Sequence, residues 1–316
     1  MPLDHYVFQV HLKNFYSPSL GNLMYAIRKS DLKTFTPNSE SVCRIEEGST
    51  NSYLREDRIV EEFLKKIEPN YNKSIDKLRA NDIDADCIFT IAGFVAYIII
   101  CSPAGMRINS NLLKGTVEET TRALDSKDVF PLPPPELGGK KLTELLGSGA
   151  LQVEIDHKYP QVIGISQILS HANSFGNSAW EILLNNFEDS PFFTSDFPVA
   201  IEKTEDNRIL NRIIPLSPTL AIRICPDISI ERNHEDYSFS RFKYSIRNLN
   251  RQEIININRL VVQCAEDIVF FRDNYEWVTK FVTKNAKYWI EPKTHRIPHS
   301  EETYLWFTQE IAAREN

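Results

Sequence analysis

The stretch PFFTSDFPVAIE, Pro191 to Glu202, marks a change in the character of the chain. Two apolar runs enclose Thr194, Ser195 and Asp196, and Pro198 follows at once. Asp and Pro are poor residues for a continuous strand and good ones for a turn. The stretch therefore reads as two short strands, Phe192–Ser195 and Val199–Glu202, with Asp196 between them. The same punctuation continues downstream. Ile209–Pro215, Leu220–Cys225 and Asp236–Ser245 read as further strands, separated by Asp, Pro and Ser.

Upstream, the period is helical. Val60, Phe63, Leu64, Ile67, Tyr71, Ile75 and Leu78 recur at three- and four-residue steps, so Ile59–Leu78 is predicted helical with a kink at Pro69. Asp84–Cys101 is predicted as a second helix, stopped by Ser102-Pro103, and Thr116–Leu124 as a third. Lys140–Leu146 is a short helix, and Tyr159–Phe187 reads as mostly helical, with Trp180, Ile182 and Leu183 near its end. Before these, Asn22–Lys29 and Thr34–Thr36 read as strands joined by a turn at Ser30-Asp31. After the strand-rich part come a helix at Ile254–Ile268, a strand at Val269–Phe271, and helices at Trp277–Phe281 and Glu301–Ala313. Helices and strands fall in runs without βαβ alternation. The expected class is α+β, mixed helices packed on a small, mainly antiparallel sheet. One unit spanning 1–316 is expected. Its internal boundary is the proline-rich connector 131–139 (PLPPPELGG), which separates a mostly helical 1–130 from a strand-and-helix 140–316.

The 316 residues carry 36 basic and 43 acidic side chains, a net charge of −7. This argues against a general nucleic-acid coat, which needs a basic field, and leaves room for a local basic site. Five cysteines, Cys43, Cys87, Cys101, Cys225 and Cys264, are scattered and form no CxxC, which suits a reducing compartment. The opening MPLDHYVFQV has no basic region followed by an apolar core, so a cytoplasmic location is expected. The apolar part of Cys87–Met106 runs for about 14 residues, too short to span a bilayer, and no stable membrane insertion is expected.

Three motifs occur in order: His5-Tyr6-Val7-Phe8-Gln9 with Leu12-Lys13-Asn14-Phe15; Phe193 to Val199 with Pro215-Leu216-Ser217-Pro218; and Asn258-Arg259-Leu260 with Gln263 and Ala265. Together they resemble the bacterial family catalogued as domain of unknown function 4238, from His5 to about Phe271. Its members look like HYVPQ…LxNF at the start, with F-x-TSD-x-PV, PLSP and an N-x-L…A helix later. Phe8 replaces the family's proline. Tyr97–Cys101 lacks the Gln or Arg that the family usually carries there, so any site that used that group is altered. The resemblance implies no reaction.

The motif residues supply the candidate site. His5 and Asp196 are the expected catalytic pair, His5 as acid, base or phosphate holder and Asp196 as base or ligand of a divalent metal. Gln9, Asn14, Ser195 and Asn258 are expected to position a substrate. A helix beginning near Phe8 would bury Phe8, Leu12 and Phe15 and leave His5 just before its start. Asn258 lies on the apolar face of its helix with Ile254 and Val261, so a strand backbone, Asp196 or a ligand must satisfy its amide. Asp196 closing an Asx-turn is the competing reading. The D-x-K of Asp156 to Lys158 lacks the upstream Asp of a nuclease pattern, with Glu144 the nearest substitute. His295 and His299 lack a third zinc ligand.

Two classes of function stay open. One is an enzyme of toxin or defence type acting on a nucleic acid or nucleotide by phosphodiester hydrolysis, with nucleotidyl or ADP-ribosyl transfer as its variant. The other is a non-catalytic module that binds a protein partner. Catalysis requires His5, Asp196 and Asn258 to converge on one open pocket; architecture does not.

Overall fold

Several breaks between elements in this chain have a local chemical cause. The computed structural model describes residues 2–131, 133–206, 208–229, 234–299 and 302–314. The chain begins with β1 (Leu3–His5), the short helix α1 (Gln9–Lys13), and strands β2 (Tyr25–Arg28), β3 (Thr34–Phe35) and β4 (Arg44–Glu46). Then come α2 (Val60–Ile67) and α3 (Tyr71–Ala80). A single 3-10 turn, Glu68–Asn70, joins them at the predicted kink, because Pro69 cannot donate to the helical ladder. Asn81 ends α3 in the left-handed conformation, at φ 57°.

Helix α4 (Ala85–Cys101) is capped by Asp84, whose carboxylate accepts from Cys87 N at 2.9 Å. It is apolar all round because it is buried nearly all round, and it forms the core of the helical layer. Ser102-Pro103 stops this helix as expected, but it also starts the next. Ser102 Oγ accepts from Gly105 N at 3.1 Å and Pro103 occupies the first turn of α5 (Pro103–Asp125). The third helix thus begins 13 residues before the predicted Thr116. The junction is tight: a Cβ on Gly105 would lie 2.1 Å from the Ile99 carbonyl oxygen. In the connector, Leu132 lies outside the described residues and Pro135–Leu137 forms a 3-10 turn. Beyond it are α6 (Leu142–Gly147), α7 (Lys158–Ser166) and α8 (Ile168–Gly176).

The expected helix Tyr159–Phe187 is corrected at its C-terminal end. Ala179–Leu184 is a strand, β5, pairing with two neighbours at once. A short apolar run such as AWEILL fits a buried helix or a buried strand equally well, and pairing decides. The strands β6 (Thr194–Ser195), β7 (Ala200–Lys203), β8 (Leu210–Ser217), β9 (Leu220–Cys225) and β10 (Lys243–Asn248) follow. The last lies later than the expected Asp236–Ser245. Helix α9 (Arg251–Cys264) leads to β11 (Ile268–Phe271), then to α10 (Glu276–Asn285). The chain closes on a long antiparallel hairpin, β12 (Tyr288–His299) and β13 (Glu302–Ala313). This corrects the helix expected at Glu301–Ala313, of which Glu301 lies outside the described residues. Tyr304, Trp306 and Phe307 favour a strand, and β12 supplies the partner that local propensity could not reveal.

Two main sheets result. One has the order β10-β5-β9-β8-β7, antiparallel except for the β10–β5 pair. The other, β3-β2-β11-β6, is antiparallel throughout. The α+β class is therefore as the sequence indicated. Residues from both sides of the connector join one hydrophobic core, in which Ile91 of α4 and Ala172 of α8 are both fully buried. The opening stretch has an unexpected position: β6 belongs to one sheet and β7 to the other. Asp196 to Val199 is the corner where the chain crosses between them. Among the described residues, no single helix is long and apolar enough to cross a membrane.

Candidate functional site

At the inter-sheet corner, Asp196 is buried and its carboxylate faces the loop between α9 and β11. Oδ1 accepts from Glu266 N at 2.9 Å; Oδ2 accepts from Asp267 N and Ile268 N at 2.8 and 2.9 Å. Its own backbone N–H donates to Ile268 O. Lys29, just after β2, donates to Ala265 O of the same loop at 2.5 Å and to Tyr288 O at the start of β12 at 2.8 Å. Burial pushes the Asp196 carboxyl well above the ordinary carboxylate range, while the Asp267 and Ile268 amides and the Lys29 ammonium oppose that rise. Burial likewise lowers the Lys29 ammonium. A loop that ends a helix has orphan carbonyls and amides, and here a buried cation and a buried anion satisfy them.

The residues around Asp196 are engaged in the same way. Ser195 Oγ accepts from Phe197 N at 3.2 Å and rounds the corner. Asn258 is wholly buried, its Oδ1 accepting from Phe193 N and its Nδ2 donating to Pro191 O, both at 2.9 Å. Its amide acts as a section of strand backbone running beside residues 191–193. Thr194 Oγ1 lies 2.8 Å from Nε2 of His11, whose Nδ1 lies 2.7 Å from the Tyr71 hydroxyl. Burial lowers the His11 pKa to about 3, so the ring is neutral, and Phe15 and Phe94 pack against it. The sequence carried a signal for His11. With a helix starting at Phe8, positions 8, 11, 12 and 15 share one face.

These donors do not fit a divalent metal at Asp196. Both carboxylate oxygens already accept amides, and the neighbouring Glu266 pairs with Arg107 at 2.8 Å. Among the described residues, no cluster of three His, Cys, Asp or Glu could hold a metal ion.

The N-terminal candidates lie elsewhere. His5 is part of β1, opposite Arg44, and its Nε2 is 3.3 Å from Glu40 O. It is therefore held by a ladder and not beside free amides at a helix start. Gln9 Oε1 accepts from Ser39 Oγ at 3.5 Å. Beside them is a cavity of about 430 Å³ lined by Lys13, Tyr16, Asn22, Asn38 and Glu40. Asn14 reaches in another direction, donating to Asn72 Oδ1 at 3.1 Å and to Leu216 O at 3.5 Å. The structure brings Ser195 and Asp196 together at the corner, with Asn258 behind the preceding strand, and sets His5 and Gln9 on the 39–40 segment. Of the other patterns, Lys158 donates to Glu47 O and Thr50 O, and Glu144 caps α6.

A different place gathers polar side chains around an open space. The β8–β9 turn carries Pro218, and across from it runs the segment 185–191. Between them opens a cleft of about 420 Å³ lined by Arg79, Asn186, Glu188, Thr219 and Arg272, with Pro191 and Pro218 as walls. Arg79 at the end of α3 donates to Ser217 Oγ at 2.8 Å and pairs with Asp76 at 3.4 Å. Arg272 follows β11 and uses its Nε on Asp273 at 2.6 Å; its two Nη groups have no partner among the described residues. Asn186 lines the cleft and donates to Asn248 Oδ1 at 3.1 Å, and its side-chain carbonyl has no partner among the described residues. None of His5, Asp196 and Asn258 lines this cleft or the cavity beside Lys13. Sequence spacing gave no sign of the two arginines, which are 193 positions apart.

A family model described as a protein of unknown function, DUF4238, matches residues 4–274. The chain belongs to this family. No curated protein and no solved structure matches it. The DUF4238 match takes in all three motifs, both main sheets and the cleft. It stops before α10, so α10 and the β12–β13 hairpin lie outside the matched region. Arg107 fastens that hairpin to the DUF4238 core by pairing with Glu266, donating to Ile290 O at 3.0 Å and lying 3.9 Å from the Trp289 ring centroid.

Proposed function

We propose that this protein is a non-catalytic binding module whose ligand is a nucleotide, held in the Arg79–Arg272 cleft. The observation that carries this reading is a division of labour among polar groups. The motif residues Ser195, Asp196 and Asn258 are bonded to backbone, while the cleft behind the motif walls collects donors with room for more. Two guanidiniums match the planar bidentate geometry of phosphate oxygens. Glu188 and the Asn186 carbonyl supply acceptors for ribose hydroxyls. The volume is in the range of small-molecule sites. Glu188 is the single carboxylate among the lining residues, and none of them is a histidine; the nearby Asp189 and Asp273 are paired with Arg251 and Arg272. That supports binding over phosphodiester hydrolysis or nucleotidyl transfer. The five free cysteines support a reducing setting.

Calorimetric titration with ADP and with inorganic pyrophosphate tests the proposal. Arg79→Ala and Arg272→Ala should each weaken both ligands by about tenfold or more, as expected for a lost charge-assisted contact of about 1.5–3 kcal/mol. Glu188→Gln should weaken ADP and spare pyrophosphate. Absence of binding to the intact protein, or equal binding by both arginine variants, refutes it. ADP converted to products during the titration would return the chain to the enzyme class.

A further inference from the structure

We propose that the protein also binds an uncharged medium-chain alkyl compound with a hydrogen-bonding head, in an apolar pocket formed by α5, α7, α8 and β13. The pocket has a volume of about 600 Å³ and shares no lining residue with the nucleotide cleft. Its longest wall is one stripe of α5. Asn109, Leu112, Leu113 and Thr116 stand at i, i+3, i+4 and i+7, a row about 10 Å long. Ile163 of α7 and Phe307 of β13 face it, 38% and 46% exposed, so the walls are half covered without an occupant. The back is closed by a close helix approach: a Cβ on Gly164 would lie 2.7 Å from the Ile100 side chain.

The polar groups define the head of the ligand. Gln167 and His171 are one helical turn apart and both line the pocket. The His171 ring stacks on Phe175 and has no hydrogen-bond partner among the described residues. Asn109 donates to Ile99 O at 3.2 Å, which leaves its side-chain carbonyl unpaired among the described residues. Among the described residues no charged side chain lines the pocket, so none of them compensates the desolvation of an ionic head. Burial lowers the His171 pKa, which keeps its ring neutral. Apolar walls with a few convergent neutral polar groups match an alcohol, amide or ester on an alkyl chain, and not a phosphate or carboxylate.

Calorimetric titration with octanol, decanol and sodium decanoate reads this directly. Decanol should bind about fourfold tighter for each methylene it has beyond octanol, and at least tenfold tighter than decanoate, the cost of an unpaired ionic head being larger than a methylene's gain. Leu113→Trp and Thr116→Trp fill the pocket from half-buried positions, and both should abolish binding with an unchanged circular dichroism spectrum and melting curve. Affinity independent of chain length overturns the proposal, as does decanoate binding as well as decanol. So does wild-type affinity in both folded tryptophan variants. A concentration-dependent dimer that Leu113→Asp dissociates would assign the pocket to a second copy of the chain, and would overturn it too.

Discussion

Replacing Asp196 with Asn separates a scaffold role from a chemical one. The carboxylate accepts three amide protons, two of them on Oδ2. An Asn side chain has one acceptor oxygen. Turned toward Asp267 N and Ile268 N, it keeps two bonds in neutral form and sets its NH2 against Glu266 N. One charge-assisted bond is lost, worth about 1.5–3 kcal/mol, and the two that remain each lose about 1 kcal/mol of charge assistance. The buried Lys29 ammonium also loses its compensating anion. The bonds together come to about 3.5–5 kcal/mol, within the range found when one member of a buried charged pair is removed. Urea unfolding at pH 8, where the carboxyl that burial raises to about 7 is ionised, followed by far-UV circular dichroism, measures it. The expected result is a lower midpoint at an unchanged slope, with the nucleotide affinity of the remaining folded protein intact. If Asp196→Asn is as stable as the parent within about 0.5 kcal/mol, the carboxylate is not holding the loop, and its place in the motif needs a chemical explanation.

Two further outcomes follow from the buried network. His11 keeps a folded pKa of about 3, against an ordinary value of 6.5. Below pH 6.5 the unfolded chain takes up a proton that the folded chain refuses, so stability present above that pH is lost on acidification. The loss is about 2 kcal/mol between pH 7 and pH 5. His11→Gln should remove that part of the pH slope, measured as unfolding midpoints across the range; an identical slope in the variant would count against it. Asn258→Leu leaves the Phe193 amide and the Pro191 carbonyl buried without partners, and should cost about 3 kcal/mol in the same unfolding assay. A neutral effect would show that water reaches that strand.

Much of the local structure was legible because its causes are local. Asp84 caps α4, Pro69 breaks the α2–α3 run, and Leu220–Cys225 pairs over the very residues that alternate with turn signals. The apolar face that carries Asn258 followed from helical spacing alone, as did the need for something to satisfy its amide. What satisfied it did not follow, because the partner, the backbone of residues 191–193, is 65 positions away. The strand AWEILL and the closing hairpin were misread for the same reason: a strand is stabilised by its neighbours, and the partner of β5 on one side is β10, more than sixty residues later.

The sequence by itself determined the class of fold, the buried character of its longest apolar helix, and which polar residues stand out against apolar surroundings. Side-chain period and turn chemistry reside in neighbouring residues, and they suffice for that. Only the tertiary structure decided that Asp196 stands where the chain passes from one sheet to the other, with its charge absorbed by three amides of a distant loop. It alone placed Arg79 and Arg272 on one cleft. A carboxylate's role depends on which donors surround it, and that set is assembled by the packing of β6, α9 and β11.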